Sequence, residues 1–232
     1  DDRPGRWIAV NSWPSKSIET VSWALNADGL GPKPASGGAL TIRSPQTTGM
    51  AGGEWCPYGL GKVAPEMPLD QRLDDTGSLV FDSPPLEKTM YLVGDPVAHL
   101  DISSDKPQAF VAVRVSDVAP DGNVTRVTYG LLNLAQRDSQ SAPSPLTAGK
   151  RYKVRVRLNE IGHRFAPGHR LRVSISTCYW PMVWPSPESA TLTLHAGESR
   201  IDLPFLPEAA VKVVEPFGPV EHATPTKVTV LQ

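Results

Sequence analysis

Prolines set the terms on which this chain can fold. There are 24 among 232 residues, and the longest stretch free of them runs only from Asp121 to Ala142. A proline inside a helix removes a backbone hydrogen bond and clashes with the preceding turn, which excludes a helical bundle. Doubly wound α/β folds need helical segments of about 10–15 residues between strands, and the same spacing disfavours those. Hydrophobic residues at 40% and charged residues at 20% separate the chain from disordered sequences. Its length suffices for one sizeable core.

Between the prolines, the side chains alternate. In Arg151-Tyr152-Lys153-Val154-Arg155-Val156-Arg157-Leu158 four cations face one way and four large side chains the other. Leu171, Val173 and Ile175 repeat the pattern, as do Val21, Trp23 and Leu25, then Ala98, Leu100 and Ile102. Val111, Val113 and Val115 form a further row, and Val127, Tyr129 and Leu131 are expected to share a core face. Leu192 and Leu194, then Ile201, Leu203 and Phe205, complete the set. A period of two with one apolar face predicts antiparallel sheets packed face to face. Turn residues punctuate the runs at Ser83-Pro84-Pro85, Gly94-Asp95-Pro96, Pro120-Asp121-Gly122 and Ala166-Pro167-Gly168. The pattern predicts an all-β jelly-roll sandwich over residues 1–206. Residues 41–69 form a long glycine- and proline-rich loop, and 207–232 a polar extension in which Lys227 to Leu231 is a strand candidate.

Charge and motifs narrow the function. Twenty-three basic against 24 acidic residues, with no long run of either sign, leave no footprint for nucleic acid. No segment is long and apolar enough for a membrane span, and no targeting signal is visible, which favours the cytoplasm. Neither a Gly-x-Ser-x-Gly elbow nor a phosphate-binding glycine loop occurs, so no catalytic residue and no cofactor is assigned. His99 and His195 read as sheet-face side chains. His163 and His169 flank a turn without a third ligand, and no metal is assigned to them. Asp74-Asp75, the adjacent carboxylate pair between segments, reads as a solvated turn in preference to a calcium site. Cys56 and Cys178 read as ordinary thiols, and Asn123-Val124-Thr125 as the start of a strand. The segment from Trp180 to Pro187, with Trp184 at its centre, is expected to dock within the molecule. Exposed, it would instead be a ridge for a sugar or a protein.

Several of these stretches, in this order, resemble one family. Asp70-Gln71-Arg72, Leu79-Val80-Phe81-Asp82-Ser83-Pro84-Pro85-Leu86 and Gly94-Asp95-Pro96-Val97 lead. Val115-Ser116-Asp117-Val118-Ala119-Pro120-Asp121-Gly122 and Phe165-Ala166-Pro167-Gly168-His169-Arg170-Leu171-Arg172-Val173 come next, with Trp13-Pro14 and Gly37-Gly38-Ala39-Leu40 near the start. Over about residues 5–206 the chain resembles the C-terminal domain of Xaa-Pro dipeptidyl-peptidases and of cocaine-esterase-like (CocE/NonD) serine hydrolases.

The resemblance implies a galactose-binding-like jelly roll attached after an α/β-hydrolase domain of the same polypeptide. That other domain would carry the serine, aspartate and histidine of catalysis, with none of them transferable to this chain. The segment after Leu40 would approach the substrate pocket. Here the sequence departs from shorter relatives by an extended loop holding Trp55, Cys56 and Tyr58, and Trp55 and Tyr58 are candidates for the pocket rim. Trp180 and Trp184 are candidates for an interdomain or ligand surface. Two other readings are a carbohydrate-binding module using Trp180 and Trp184, and a structural domain that drives homo-oligomerisation.

Overall fold

The computed structural model describes residues 5–54, 56, 67–215, 218–219 and 221–222. Its strands, in chain order, are β1 (Ile8–Ala9), β2 (Glu19–Asn26), β3 (Gly29–Gly31), β4 (Gly38–Ile42), β5 (Leu79–Asp82), β6 (Met90–Gly94), β7 (Val97–Ser104) and β8 (Phe110–Val118). They continue with β9 (Val124–Asn133), β10 (Tyr152–Arg157), β11 (Ile161–Phe165), β12 (Arg170–Ser176), β13 (Leu192–Ala196), β14 (Ser199–Leu206) and β15 (Lys212–Val213). The longest helix among the described residues, α1 (Arg72–Asp75), is a single turn.

All strand pairs are antiparallel, and two sheets face each other in a β-sandwich, as the alternation predicts. The smaller sheet runs β5-β12-β8-β9; the larger runs β11-β6-β14-β7-β13-β4, with β10 on β7 and β2 and β3 beyond β14. A minor ribbon joins β1 to β15. The apolar rows of β2, β7, β10, β12, β13 and β14 meet in one core, with Leu25, Leu100, Val156, Leu171, Leu194 and Ile201 all buried. The strand candidate at Lys227 to Leu231 lies outside the described residues.

Two rows depart from simple alternation. Strand β8 is buried at every position, Arg114 and Ser116 included, because its outer face is covered instead of solvated. The row Val127, Tyr129 and Leu131 does not share a face. The β8–β9 register slips between Val115 and Ser116, so Ser116 pairs with Arg126 and Val115 with Thr128. The unpaired Val127 is a bulge that reverses the phase of the rest of β9. Val127 packs on the main core, while Tyr129 and Leu131 join Phe110, Ala112 and Tyr179 on the opposite face. Nearby, Gly130 passes so close to the next strand that a Cβ would collide with the Arg157 carbonyl.

Charges on the larger sheet are paired between neighbouring strands. Arg151, just before β10, grips Asp101 of β7 through Nε at 2.9 Å and Nη2 at 2.7 Å. This grip outweighs the opposing effect of burial and holds the Asp101 carboxyl below its ordinary pKa. An acid whose folded pKa is depressed adds stability above its unfolded value, about 4. That stability is lost as pH falls through the lower folded value. Asp101→Asn is therefore expected to lower the urea midpoint at neutral pH, with the gap to wild type closing below about pH 4. Parallel denaturation series across pH check this; a gap independent of pH would refute it.

Candidate functional site

A structured polar assembly covers the outer face of β8. It consists of the stretch from Ser44 to Gly53, the stretch from Leu69 to Ser78 with α1, and the residues following β12. Asp75 sits at its base. Its Oδ1 accepts from Arg114 Nη2 at 3.1 Å and from the Ser174 hydroxyl at 2.7 Å; its Oδ2 accepts from Arg172 Nη1 at 2.8 Å. Arg172 also holds Asp82 through two bonds of 2.6 and 2.7 Å. Asp82 first, then Asp75, push the Arg172 pKa up despite partial burial. Arg114 and Arg172 are even-numbered residues of β8 and β12, so they project away from the sandwich core toward the cover.

Asp74, its neighbour, turns the other way and binds backbone. Its two oxygens accept from Gly49 N–H at 2.7 Å and Ala51 N–H at 3.0 Å. Gln71 donates from Nε2 to the carbonyls of Ala51 and Leu69, at 2.7 and 2.6 Å. Leu69 N–H adds a 2.9 Å bond to the Ala51 carbonyl. Arg126 reaches up from β9 to the Gly52 carbonyl at 2.6 Å and the Tyr179 hydroxyl at 2.7 Å. Burial raises the Tyr179 pKa above that of an ordinary phenol, opposed by the Arg126 charge. Gly49 has φ of 117° and lies against the backbone of Tyr179 and Trp180, a place no side chain fits. Trp180 N–H closes the assembly on the Thr48 carbonyl at 2.7 Å.

This arrangement corrects the reading of Asp74-Asp75 as a solvated turn, since both are buried. A carboxylate leaves water when enough donors replace it, and here five N–H or O–H groups do so. The Asp75 N–H is satisfied as well, by the Gln71 carbonyl. Arg114 and Arg126 were not singled out in the sequence. The available signal was a charged residue between Val113 and Val115, interrupting the apolar run from Phe110 to Val115. The Asp70-Gln71-Arg72 motif proves to be the approach to α1, with Gln71 as its tie.

The other sequence candidates are dispersed. Trp55 and Tyr58 lie outside the described residues. Trp180 is half-buried, but Trp184 is 79% exposed, so the expectation that the whole segment docks internally is corrected at its tip. The two rings meet edge to face at 5.1 Å. His163 and His169 converge on one residue, with Nε2 and Nδ1 at 2.9 and 2.7 Å from the two oxygens of Asp117. Among the described residues, no group of three or more His, Cys, Asp or Glu is placed to hold a metal. His99 pairs with Asp202 at 2.9 Å, His195 lies on β13, and Cys56 and Cys178 are free thiols. No helix among the described residues is long and apolar enough to cross a membrane.

What the arrangement offers chemically is a rigid support, with its acidic groups all engaged in holding backbone and arginine. The family model of the X-Pro dipeptidyl-peptidase C-terminal non-catalytic domain matches residues 1–218, and the chain belongs to that family. It is 23% identical over 189 residues to the cocaine esterase of Rhodococcus sp. (strain MB1 Bresler), covering 75% of this chain and 32% of the esterase. Its fold is similar to that of an aminopeptidase from a marine sediment archaeon, Thaumarchaeota archaeon, with a TM-score of 0.72 and 22% identity. That match covers 85% of this chain and 38% of the other. It is similar also to an α-amino acid ester hydrolase, with a TM-score of 0.69 and 23% identity, covering 80% of this chain and 36% of the other. The chain thus spans between 32% and 38% of the length of these relatives.

Removing one partner of a buried ion pair strands the other, at a cost of about 3–5 kcal/mol. Asp75→Ala is expected to lose stability of that order in urea denaturation. The double variant Asp75→Leu/Arg114→Met, which removes both charges, should lose less than Asp75→Ala alone.

Proposed function

We propose that this chain serves as the non-catalytic C-terminal domain of an α/β-hydrolase-type serine peptidase or esterase. The cover on β8 packs on the catalytic domain of the same polypeptide and helps to shape its substrate pocket. One observation carries this reading: the cover is polar and buried beneath, and its outer side exposes four large apolar side chains. Met50, Met67, Leu69 and Leu73 are between 53% and 66% exposed, while the carboxylates and amide below them are buried. The hydrogen bonds from Leu69 and Gln71 to the Ala51 carbonyl bring the Met50 and Leu69 stretches side by side. Contiguous exposed apolar residues mark interaction surfaces. A network that fixes the backbone keeps such a surface from folding in on itself, so it remains available to a partner domain.

Trp55 and Tyr58 lie in the sequence between Gly53 and Met67, on either side of which this surface is built. We place them at the rim of the pocket, where apolar walls position a substrate and exclude water while the other domain supplies nucleophile and base. The chemistry is then divided. This chain contributes shape, and the hydrolytic step belongs to the neighbouring domain.

In the full-length enzyme, Trp55→Ala is expected to raise KM or alter side-chain preference across a panel of ester and Xaa-Pro substrates. Unchanged kinetics would remove Trp55 from the rim. Leu69→Asp/Leu73→Asp should loosen the two domains, seen as separate melting transitions where wild type shows one. The 232-residue chain alone is expected to hydrolyse neither p-nitrophenyl esters nor Xaa-Pro anilides; turnover blocked by a serine-directed inhibitor would overturn the assignment.

A further inference from the structure

A cleft of about 630 Å³ opens where β8 begins and β9 ends, against the segment that follows Tyr179. Phe110, Leu131 and Val183 give it an apolar lining, and Trp184 stands at one side. Gln108, Asn133, Gln136 and Gln140 bring four primary amides to it, and no charged side chain lines it. From this combination we infer that the cleft is a binding site for a neutral oligosaccharide.

The chemistry of the lining selects that ligand. A primary amide carries two N–H donors and a carbonyl acceptor on one small group, which matches a hydroxyl that both donates and accepts. The Asn133 oxygen is engaged by Ala135 N–H at 3.0 Å, leaving its NH2 group. Gln108 and Gln140 are exposed and Gln136 is half-exposed, and among the described residues the three side chains make no hydrogen bond with the protein. A phosphate, carboxylate or ammonium ligand would meet no counter-charge here, whereas an uncharged polyhydroxyl ligand loses nothing on that account. An exposed indole supplies the flat apolar surface on which the C–H face of a sugar ring rests.

Trp184 is presented, not merely uncovered. Trp180 braces it edge to face at an interplanar angle of 80°. Val183 N–H bonds the Tyr179 carbonyl at 3.0 Å, and Gln46 Nε2 reaches the Ser186 carbonyl at 3.3 Å on the far side. Pro181, Pro185 and Pro187 restrict the backbone between these ties. A ring held in place before the ligand arrives lowers the ordering cost of binding. The size of the cleft falls within the range of small-ligand sites, about 300–1,000 Å³. Proline-rich peptides dock in grooves lined by several aromatic faces. Here Trp180 stands behind Trp184, and amides outnumber aromatics along the cleft.

The site is separate from the exposed apolar surface of Met50, Leu69 and Leu73, so it can fail while the hydrolase reading stands, and the reverse. The 232-residue chain is titrated with neutral malto-, cello-, xylo- and manno-hexaoses, following tryptophan fluorescence and heat, with decaproline as a comparison ligand. Saturable binding of at least one saccharide in the micromolar to millimolar range is expected. Trp184→Ala should weaken it about tenfold or more, equivalent to ~1.4 kcal/mol. Trp184→Phe should restore most of the loss, and Gln136→Ala and Gln140→Ala should each weaken binding several-fold. These side chains are on the surface, so melting temperatures should stay at the wild-type value and separate lost binding from lost folding. No saturable binding of any saccharide at millimolar concentration, binding unaffected by Trp184→Ala, or binding of decaproline alone would each overturn the assignment.

Discussion

A single buried carboxylate ties the two levels of this molecule together. Asp75 holds Arg114 of β8, Arg172 and Ser174 of β12, and through its own backbone it belongs to the cover above them. Without that anchor, Arg114 would be a fully buried cation under a loop with no reason to stay in place. With it, the outer face of the smaller sheet becomes a polar floor, and the chain can carry a covering layer that contains almost no regular structure. Asp74 then passes the order outward, because its two bonds fix the backbone at Gly49 and Ala51.

Much of the sandwich was legible from alternation alone. The rows at Tyr152 to Leu158, Leu171 to Ile175 and Ile201 to Phe205 each put the expected side chains into the core. Alternation reports a strand with one wet face, and it fails where that condition fails. β8 is wrapped on both sides, so Arg114 and Ser116 read as solvent-facing when they are interior. The bulge at Val127 is likewise invisible to a pattern count, since it is a slip in pairing between two strands and not a property of either.

The site was legible only in outline. The aromatic and proline-rich segments stood out as places where the chain does something other than build sheet, but Trp184 is exposed where its segment was expected to dock within the molecule. What could not be read was the polar network. Asp74 and Asp75 look like any loop carboxylates until the donors from residues 49, 51, 114, 172 and 174 are brought to them from three separate stretches of the sequence. Sequence proximity carries no trace of such convergence. The same is true of Asp117, which meets His163 and His169 from a different strand.

The neck formed at Ala51 and Leu69 has a consequence for how such proteins diversify. Leu69 N–H and the Gln71 amide both bond the Ala51 carbonyl, so the chain departs and comes back at nearly one point. Closing a flexible loop costs free energy only as the logarithm of its length, about 0.6 kcal/mol for each doubling. By that logarithm, a change in the number of residues between Glu54 and Met67 costs the sandwich little closure free energy. Variation within this lineage should concentrate in that one window.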